Sequence, residues 1–181
     1  MLPREKELLI SNGVIFSFRI KFRGKYMFAK SKGTVREKLV EKNGAVTAIL
    51  LVEDNDVNIL VMKYFLDHFD CVLKIAKDGR KGIQLFKQYE FDLVIMDILM
   101  PEVDGFEASK QIRAFEEEQN LVPTPIIAHT AHIKPADQHL CIAAGMNDYL
   151  AKPLHGEAMT SKIETWAPKV IEGRREKTSV A

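Results

Sequence analysis

Phe91-Asp92-Leu93-Val94-Ile95-Met96-Asp97-Ile98-Leu99-Met100-Pro101 is the stretch on which the reading of this chain turns. Leu93, Val94, Ile95 and Met96 form a continuous apolar, partly β-branched run, the pattern of a strand buried on both faces of a parallel sheet. Pro101 has no amide hydrogen to give to a ladder, so the strand stops before it. Asp97 then falls at the C-terminal end of a central strand, and an open α/β sheet places its ligands along that edge. A carboxylate in that position points to chemistry and asks for partners elsewhere in the chain.

Outward from this strand, the sequence after residue 46 alternates short apolar runs with helical patterns, which specifies a parallel sheet with crossover helices. Residues 48–52 read as a buried strand with Glu53-Asp54-Asn55 at its end. Asn55 or Asp56 caps a helix whose apolar positions are expected to be Val57, Leu60, Val61, Phe65 and Leu66. Residues 72–76 are a second strand, and 79–89 a helix with Ile83 and Phe86 inward. Asp104-Gly105 precedes a helix with Phe106, Ile112 and Phe115 inward, ending at Glu116-Glu117-Glu118, which reads as a solvated acidic run. Residues 125–128 form a fourth strand ending at His129-Thr130. Pro135 opens a helix that stops at Gly145. Residues 148–151 are a fifth strand ending at Lys152-Pro153, and a last helix carries Met159, Ile163 and Trp166. Five strands and five helices in about 120 residues is the size of a flavodoxin-like doubly wound (βα)5 domain.

All strand ends of a parallel sheet share one edge, so Glu53, Asp54, Asp97, Thr130 and Lys152 converge. Three carboxylates so close repel one another, and one would take a proton unless compensated. Hard oxygen donors of this kind suit Mg²⁺, which binds through a few carboxylates plus a phosphate. An ionised Asp97 can then attack phosphorus to give an acyl phosphate. Lys152 would pair with phosphoryl oxygens and the Thr130 hydroxyl donate to another.

Composition agrees with segments of different tasks. Residues 1–46 hold eleven Lys/Arg against four Asp/Glu, residues 168–181 four against two, and residues 47–167 eleven against nineteen, an acidic body between basic ends. No run approaches the roughly 18 apolar residues of a membrane span, and the first residues do not open a signal peptide, so a cytoplasmic protein is expected. Cys71 and Cys141 lack metal-ligand spacing and read as reduced thiols. In the basic N-terminal extension, Phe16, Phe18, Ile20 and Phe22 alternate as on an amphipathic strand, and residues 30–43 read as a linker with one helical turn around 35–40.

The blocks 49–55, 96–101 with Asp104-Gly105, Thr130-Ala131 and 148–153 resemble those of response-regulator receiver domains, in order, over roughly residues 47–166. The style of Val52-Glu53-Asp54-Asn55 and of residues 143–150 is similar to receivers attached to hybrid sensor histidine kinases. The resemblance implies a phosphorelay protein. By that resemblance Asp97 would be the phosphoacceptor, Glu53, Asp54, Asp97 and the Leu99 backbone carbonyl would hold Mg²⁺, Lys152 would bind the phosphoryl group, and Thr130 with Tyr149 would form the switch. A histidine kinase or a histidine phosphotransfer protein is the implied partner. Receivers usually carry an apolar residue at the position of His129, which reads here as a satisfied packing histidine rather than a metal ligand. Residues 13–20 look like the closing strand of a histidine-kinase ATPase domain, but the ATP-binding motifs of that domain are absent from the sequence.

Two other classes remain. Arg19, Lys21, Arg23 and Lys25 beside Phe18, Phe22 and Tyr26 would suit stacked bases and phosphates in a nucleic-acid-binding regulator. A scaffolding pseudo-receiver would keep the fold without phosphorylation, which the intact acidic set, Thr130 and Lys152 argue against.

Overall fold

The computed structural model describes residues 6–11, 14–22, 25–29, 36–41, 44–45, 47–69, 71–131 and 135–167. They fall in two compact units, Met1–Arg36 and Glu37–Ala181. In the first, β1 (Lys6–Ser11), β2 (Val14–Phe22) and β3 (Lys25–Ala29) make an antiparallel sheet in that order. The strand expected around Phe18 is thus the central one, with Phe18 opposite Leu8 on one side and Ala29 on the other. This gives it the paired neighbours that an isolated strand needs. The side chains on which the nucleic-acid reading rests, like residues 168–181 and His132, lie outside the described residues.

The second unit begins with three two-residue strands, β4 (Glu37–Lys38), β5 (Val40–Glu41) and β6 (Gly44–Ala45). It continues through β7 (Thr47–Val52), α1 (Asp56–Leu66), β8 (Cys71–Ala76), α2 (Gly79–Gln88) and β9 (Tyr89–Glu90). Then come β10 (Leu93–Asp97), α3 (Gly105–Glu118), β11 (Ile126–Thr130), α4 (Pro135–Ala143), β12 (Asp148–Ala151) and α5 (Gly156–Trp166). The helical turn expected around 35–40 is replaced by extended chain, because Glu37 and Lys38 pair with Tyr89 and Glu90 and Leu39 packs on the core.

β12, β11, β10, β7 and β8 form one parallel sheet in that order, the doubly wound arrangement expected. Side chains alternate between its faces. Leu50, Val52, Val94, Met96, Ile126 and Ala128 pack with Ile83 and Phe86 of α2 and Ala108, Ile112 and Phe115 of α3. Ile49, Leu51, Leu93, Ile95, Ile127 and Leu150 pack with Ile59, Met62 and Leu66 of α1 and Met159 and Ile163 of α5. Each such side chain, fully buried, contributes roughly 1.5–3 kcal/mol. Cys71 and Cys141 are reduced thiols, the first half-buried and the second buried.

Two expectations fail here. Of the α1 positions expected inward, Leu66 is buried and Phe65 packs against the core, whereas Val57, Leu60 and Val61 face solvent with Tyr64 and their places are taken by Ile59 and Met62. The helix is apolar almost all round, so periodicity cannot choose its inner face; the cap does, because Asn55 accepts from the amides of Val57 and Asn58 and so sets the helix phase. Glu116 is not solvated but 2% exposed. Its Oε1 accepts from the Thr124 amide at 2.7 Å and its Oε2 from Nη1 of Arg113 at 2.5 Å. Arg113 also donates to the Gly145 carbonyl at 2.8 Å and to Oδ1 of Asn147 at 2.9 Å, tying the end of α3 to the loop before β12. Removing one partner of a buried ion pair leaves the other uncompensated. Glu116→Ala is therefore expected to cost about 3 kcal/mol in urea unfolding. The exposed Glu117→Ala should change stability by no more than about 0.5 kcal/mol.

Candidate functional site

The last residues of β7, β10 and β11 and the first after β12 meet at one sheet edge. Val52 is in register with Met96 and Asp97 with His129, so Glu53, Asp97 and His129 stand side by side. The Glu53 amide donates to the Ala76 carbonyl at 3.0 Å, which fixes the start of the acidic loop, and Asn55 caps α1 just beyond it. Lys152 follows β12 directly and is joined to Pro153 by a cis bond, and its amide donates to the Thr130 carbonyl at 2.8 Å.

Nζ of Lys152 lies 2.8 Å from Oδ2 of Asp97 and 2.9 Å from Oε2 of Glu53. Glu53 is fully buried; its Oε1 also accepts from Nδ2 of Asn58 at 2.7 Å, and its Oε2 contacts Nδ1 of His129 at 3.0 Å. Oδ1 of Asp97 accepts from the Leu99 amide at 3.3 Å. Glu53, Asp54 and Asp97 each offer an oxygen within 4.8 Å of the others.

One lysine thus serves two buried carboxylates, and they divide the benefit unequally. Burial pushes Glu53 up, but hydrogen bonds from His129, Asn58 and Lys152 outweigh it and lower its pKa to about 2. Asp97 is held above its usual range, first by burial and then by the Glu53 charge, against the pull of Lys152. The site therefore carries more negative charge than its one lysine neutralises. A hard divalent cation on the three oxygens fits that deficit, and the donor set is of the type that Mg²⁺ takes.

The structure brings together Glu53, Asp54, Asp97 and Lys152. Thr130 ends β11 in register with Ala151 and is buried. Tyr149 is half-buried, its hydroxyl accepting from Nε2 of Gln138 in α4 at 3.1 Å. Leu99 supplies its amide to Asp97 and exposes its side chain. Sequence reasoning missed Asn58 and the role of His129. Asn58 sits in the first turn of the capped helix, within reach of Glu53. His129 shares the sheet face of Glu53 by strand alternation, a signal available from parity alone.

The family model of the response regulator receiver domain matches residues 49–164. The chain is 34% identical over 118 residues to the sensor protein GacS of Pseudomonas syringae pv. syringae, covering 65% of this chain and 13% of that protein. Among solved structures, the receiver domain of the Pseudomonas aeruginosa PAO1 sensor histidine kinase PA1611, with magnesium coordinated in its active site cleft, matches with TM-score 0.60 and 36% identity, covering 67% of this chain and 98% of that one. The receiver domain of the Saccharomyces cerevisiae response regulator Ssk1, co-crystallised with the phosphotransfer protein Ypd1, matches with TM-score 0.64 and 34% identity, covering 67% and 88%. The fold and its edge define a two-component signalling module, and the chain belongs to the response regulator receiver domain family. Among the described residues, no helix is long and apolar enough to cross a membrane.

The pKa directions set a pH dependence. Asp97 binds its proton more tightly folded than unfolded, so its ionisation costs stability above the raised folded value. That cost disappears as pH falls towards 3.8. Glu53 has the opposite sign: its contribution is present above 4.5 and lost as pH falls towards about 2. In chelator at pH 7, Asp97→Asn should raise the thermal midpoint by roughly 2–8 °C. Thermal melts across acid pH should show that gain shrinking as wild-type Asp97 takes up its proton.

Proposed function

We propose that this chain is a phosphoacceptor of a two-component phosphorelay, in which Asp97 takes a phosphoryl group from a phosphohistidine. The observation that carries the reading is the Lys152 ammonium, bonded to Asp97 and Glu53 together at the mouth of a three-carboxylate cluster. Glu53, Asp54, Asp97 and the Leu99 carbonyl hold Mg²⁺, which supplies charge compensation for the transferring phosphoryl oxygens.

An Asp97 carboxylate oxygen attacks phosphorus, a P–O bond forms as the P–N bond to the donor imidazole breaks, and the electron pair leaves with the imidazole nitrogen. Lys152 turns from the carboxylates to the phosphoryl oxygens. The Thr130 hydroxyl donates to another of them, and Tyr149 follows, changing the surface at α4 and β12. The chain is a stoichiometric acceptor that promotes its own phosphorylation and hydrolysis rather than a turnover enzyme, and it acts in the cytoplasm. Residues 1–46 form an extension and linker, 47–167 the receiver and 168–181 a basic tail.

The partner is a histidine phosphotransfer protein or histidine kinase. Val57, Leu60 and Tyr64 are each about two-thirds exposed on α1, which starts two residues after Asp54, so an apolar surface adjoins the acidic edge. Exposed apolar patches of this kind mark protein contacts. The Ypd1 complex of the Ssk1 receiver supports a partner of the same class.

Incubation with acetyl phosphate and Mg²⁺, read by intact mass, is expected to add one phosphoryl group to the wild type and none to Asp97→Asn. An unmodified wild type would overturn the reading. Leu60→Glu, on the solvent side of α1, should be phosphorylated normally by acetyl phosphate. It should accept phosphoryl from a phosphorylated histidine phosphotransfer protein at least about tenfold more slowly, the scale of losing one apolar anchor.

A further inference from the structure

We propose that His129 is a positioning residue for the Glu53 carboxylate, an inference that rests on the phosphoacceptor reading above. Glu53, Asp97 and His129 occupy one row across β7, β10 and β11, on the sheet face that also carries Leu51, Ile95 and Ile127. Two interstrand spacings, about 10 Å, separate the backbones of Glu53 and His129. The short aspartate lies between them, and a glutamate and an imidazole are long enough to meet past it. They do so with Nδ1 of His129 3.0 Å from Oε2 of Glu53, both side chains 3% exposed or less.

The environment dictates which atom carries the proton. An ionised carboxylate only accepts, so Nδ1 donates. Nε2 is buried and has no hydrogen-bond partner among the described residues. A proton there would be a donor without an acceptor, which costs more than a bare ring nitrogen among apolar neighbours. The ring is accordingly the Nδ1–H tautomer, with a single polar task.

That task matters because Oε2 is shared. Lys152 also donates to it, at 2.9 Å, and Lys152 is the group that turns towards the phosphoryl oxygens. Without His129, Glu53 would lose its donor on Oε2 when the lysine leaves and would be free to rotate. With His129 behind it and Asn58 on Oε1 at 2.7 Å, the carboxylate keeps its aim beside Asp54 and Asp97 whichever way Lys152 points. Donors that orient a ligating carboxylate in this manner typically govern metal affinity by about 10–100-fold.

The test is the Mg²⁺ dissociation constant of the full chain by isothermal titration calorimetry, with thermal midpoints in chelator measured alongside. His129→Leu removes the donor. His129→Asn keeps a nitrogen at the position of Nδ1, and His129→Gln moves it one bond further out. The expected result is Mg²⁺ binding weakened about tenfold or more by Leu and Gln and restored to near wild type by Asn. If Leu does not fold, the Asn and Gln pair decides. Unchanged Mg²⁺ affinity in Leu or Gln with only a lowered midpoint, or equal weakening by Asn and Gln, overturns the proposal. A wild type that takes up no Mg²⁺ overturns the phosphoacceptor reading itself, a result distinct from a defect confined to the His129 variants.

Discussion

One ammonium group shared by two buried carboxylates is the interaction around which the second unit is built. Two unit charges about 4 Å apart interact by about 4 kcal/mol at the effective dielectric of a protein near its surface. Glu53, Asp54 and Asp97 are therefore tolerable together only with a cation among them. Lys152 supplies that cation, but its single charge cannot neutralise the set, and burial together with the Glu53 charge keeps the pKa of Asp97 raised against its pull. Affinity for a divalent cation and for a phosphoryl group that can reclaim the lysine both arise from this imbalance. A fully neutralised edge would be more stable and chemically inert.

Such a cluster persists because the backbone beneath it cannot relax. β10 is buried along its whole length between β7 and β11, and α3 begins close against its end. The Gly105 amide donates to the Ile98 carbonyl at 3.0 Å, and a Cβ on Gly105 would overlap the carbonyl oxygen of Asp97. Asp104 caps the same helix by accepting from the Glu107 amide at 2.8 Å. The segment between Asp97 and Asp104 is pinned at both ends, so the backbone that carries Asp97 is held in place by packing.

The sheet and most of this site were legible in the sequence. Apolar runs of strand length ended by Glu53-Asp54, Asp97, Thr130 and Lys152 locate the strands, and parallel topology alone makes those ends converge. What escaped were matters of rotation and reach. The all-round apolarity of α1 hides which residues face inward, and the cap that decides it acts through two backbone amides. Glu116 looks like part of an acidic run because its partners, the Thr124 amide and Arg113, are visible only once the chain has folded back. His129 reads from the sequence as a packing histidine, and only the register across three strands shows that it meets Glu53.

Magnitudes also rank the restraints that hold β12 beside the site. β12 links the lysine to two helices through alternating side chains. Asp148 accepts from Nζ of Lys162 at 2.6 Å and from the Trp166 indole at 2.8 Å, binding the strand to α5 by contacts that include an ion pair and hold the Asp148 pKa below 3.8. Tyr149 meets α4 through one neutral hydrogen bond from Gln138, and its ring centroid lies 5.5 Å from Nζ of Lys162 in α5. A neutral bond contributes about 1 kcal/mol and a charged one about twice that. Leu150 is buried with Met159 and Ile163 on the α5 side, which adds apolar packing to the stronger anchor. Of the restraints on β12, the bond to α4 is therefore the weaker and the contacts with α5 the stronger.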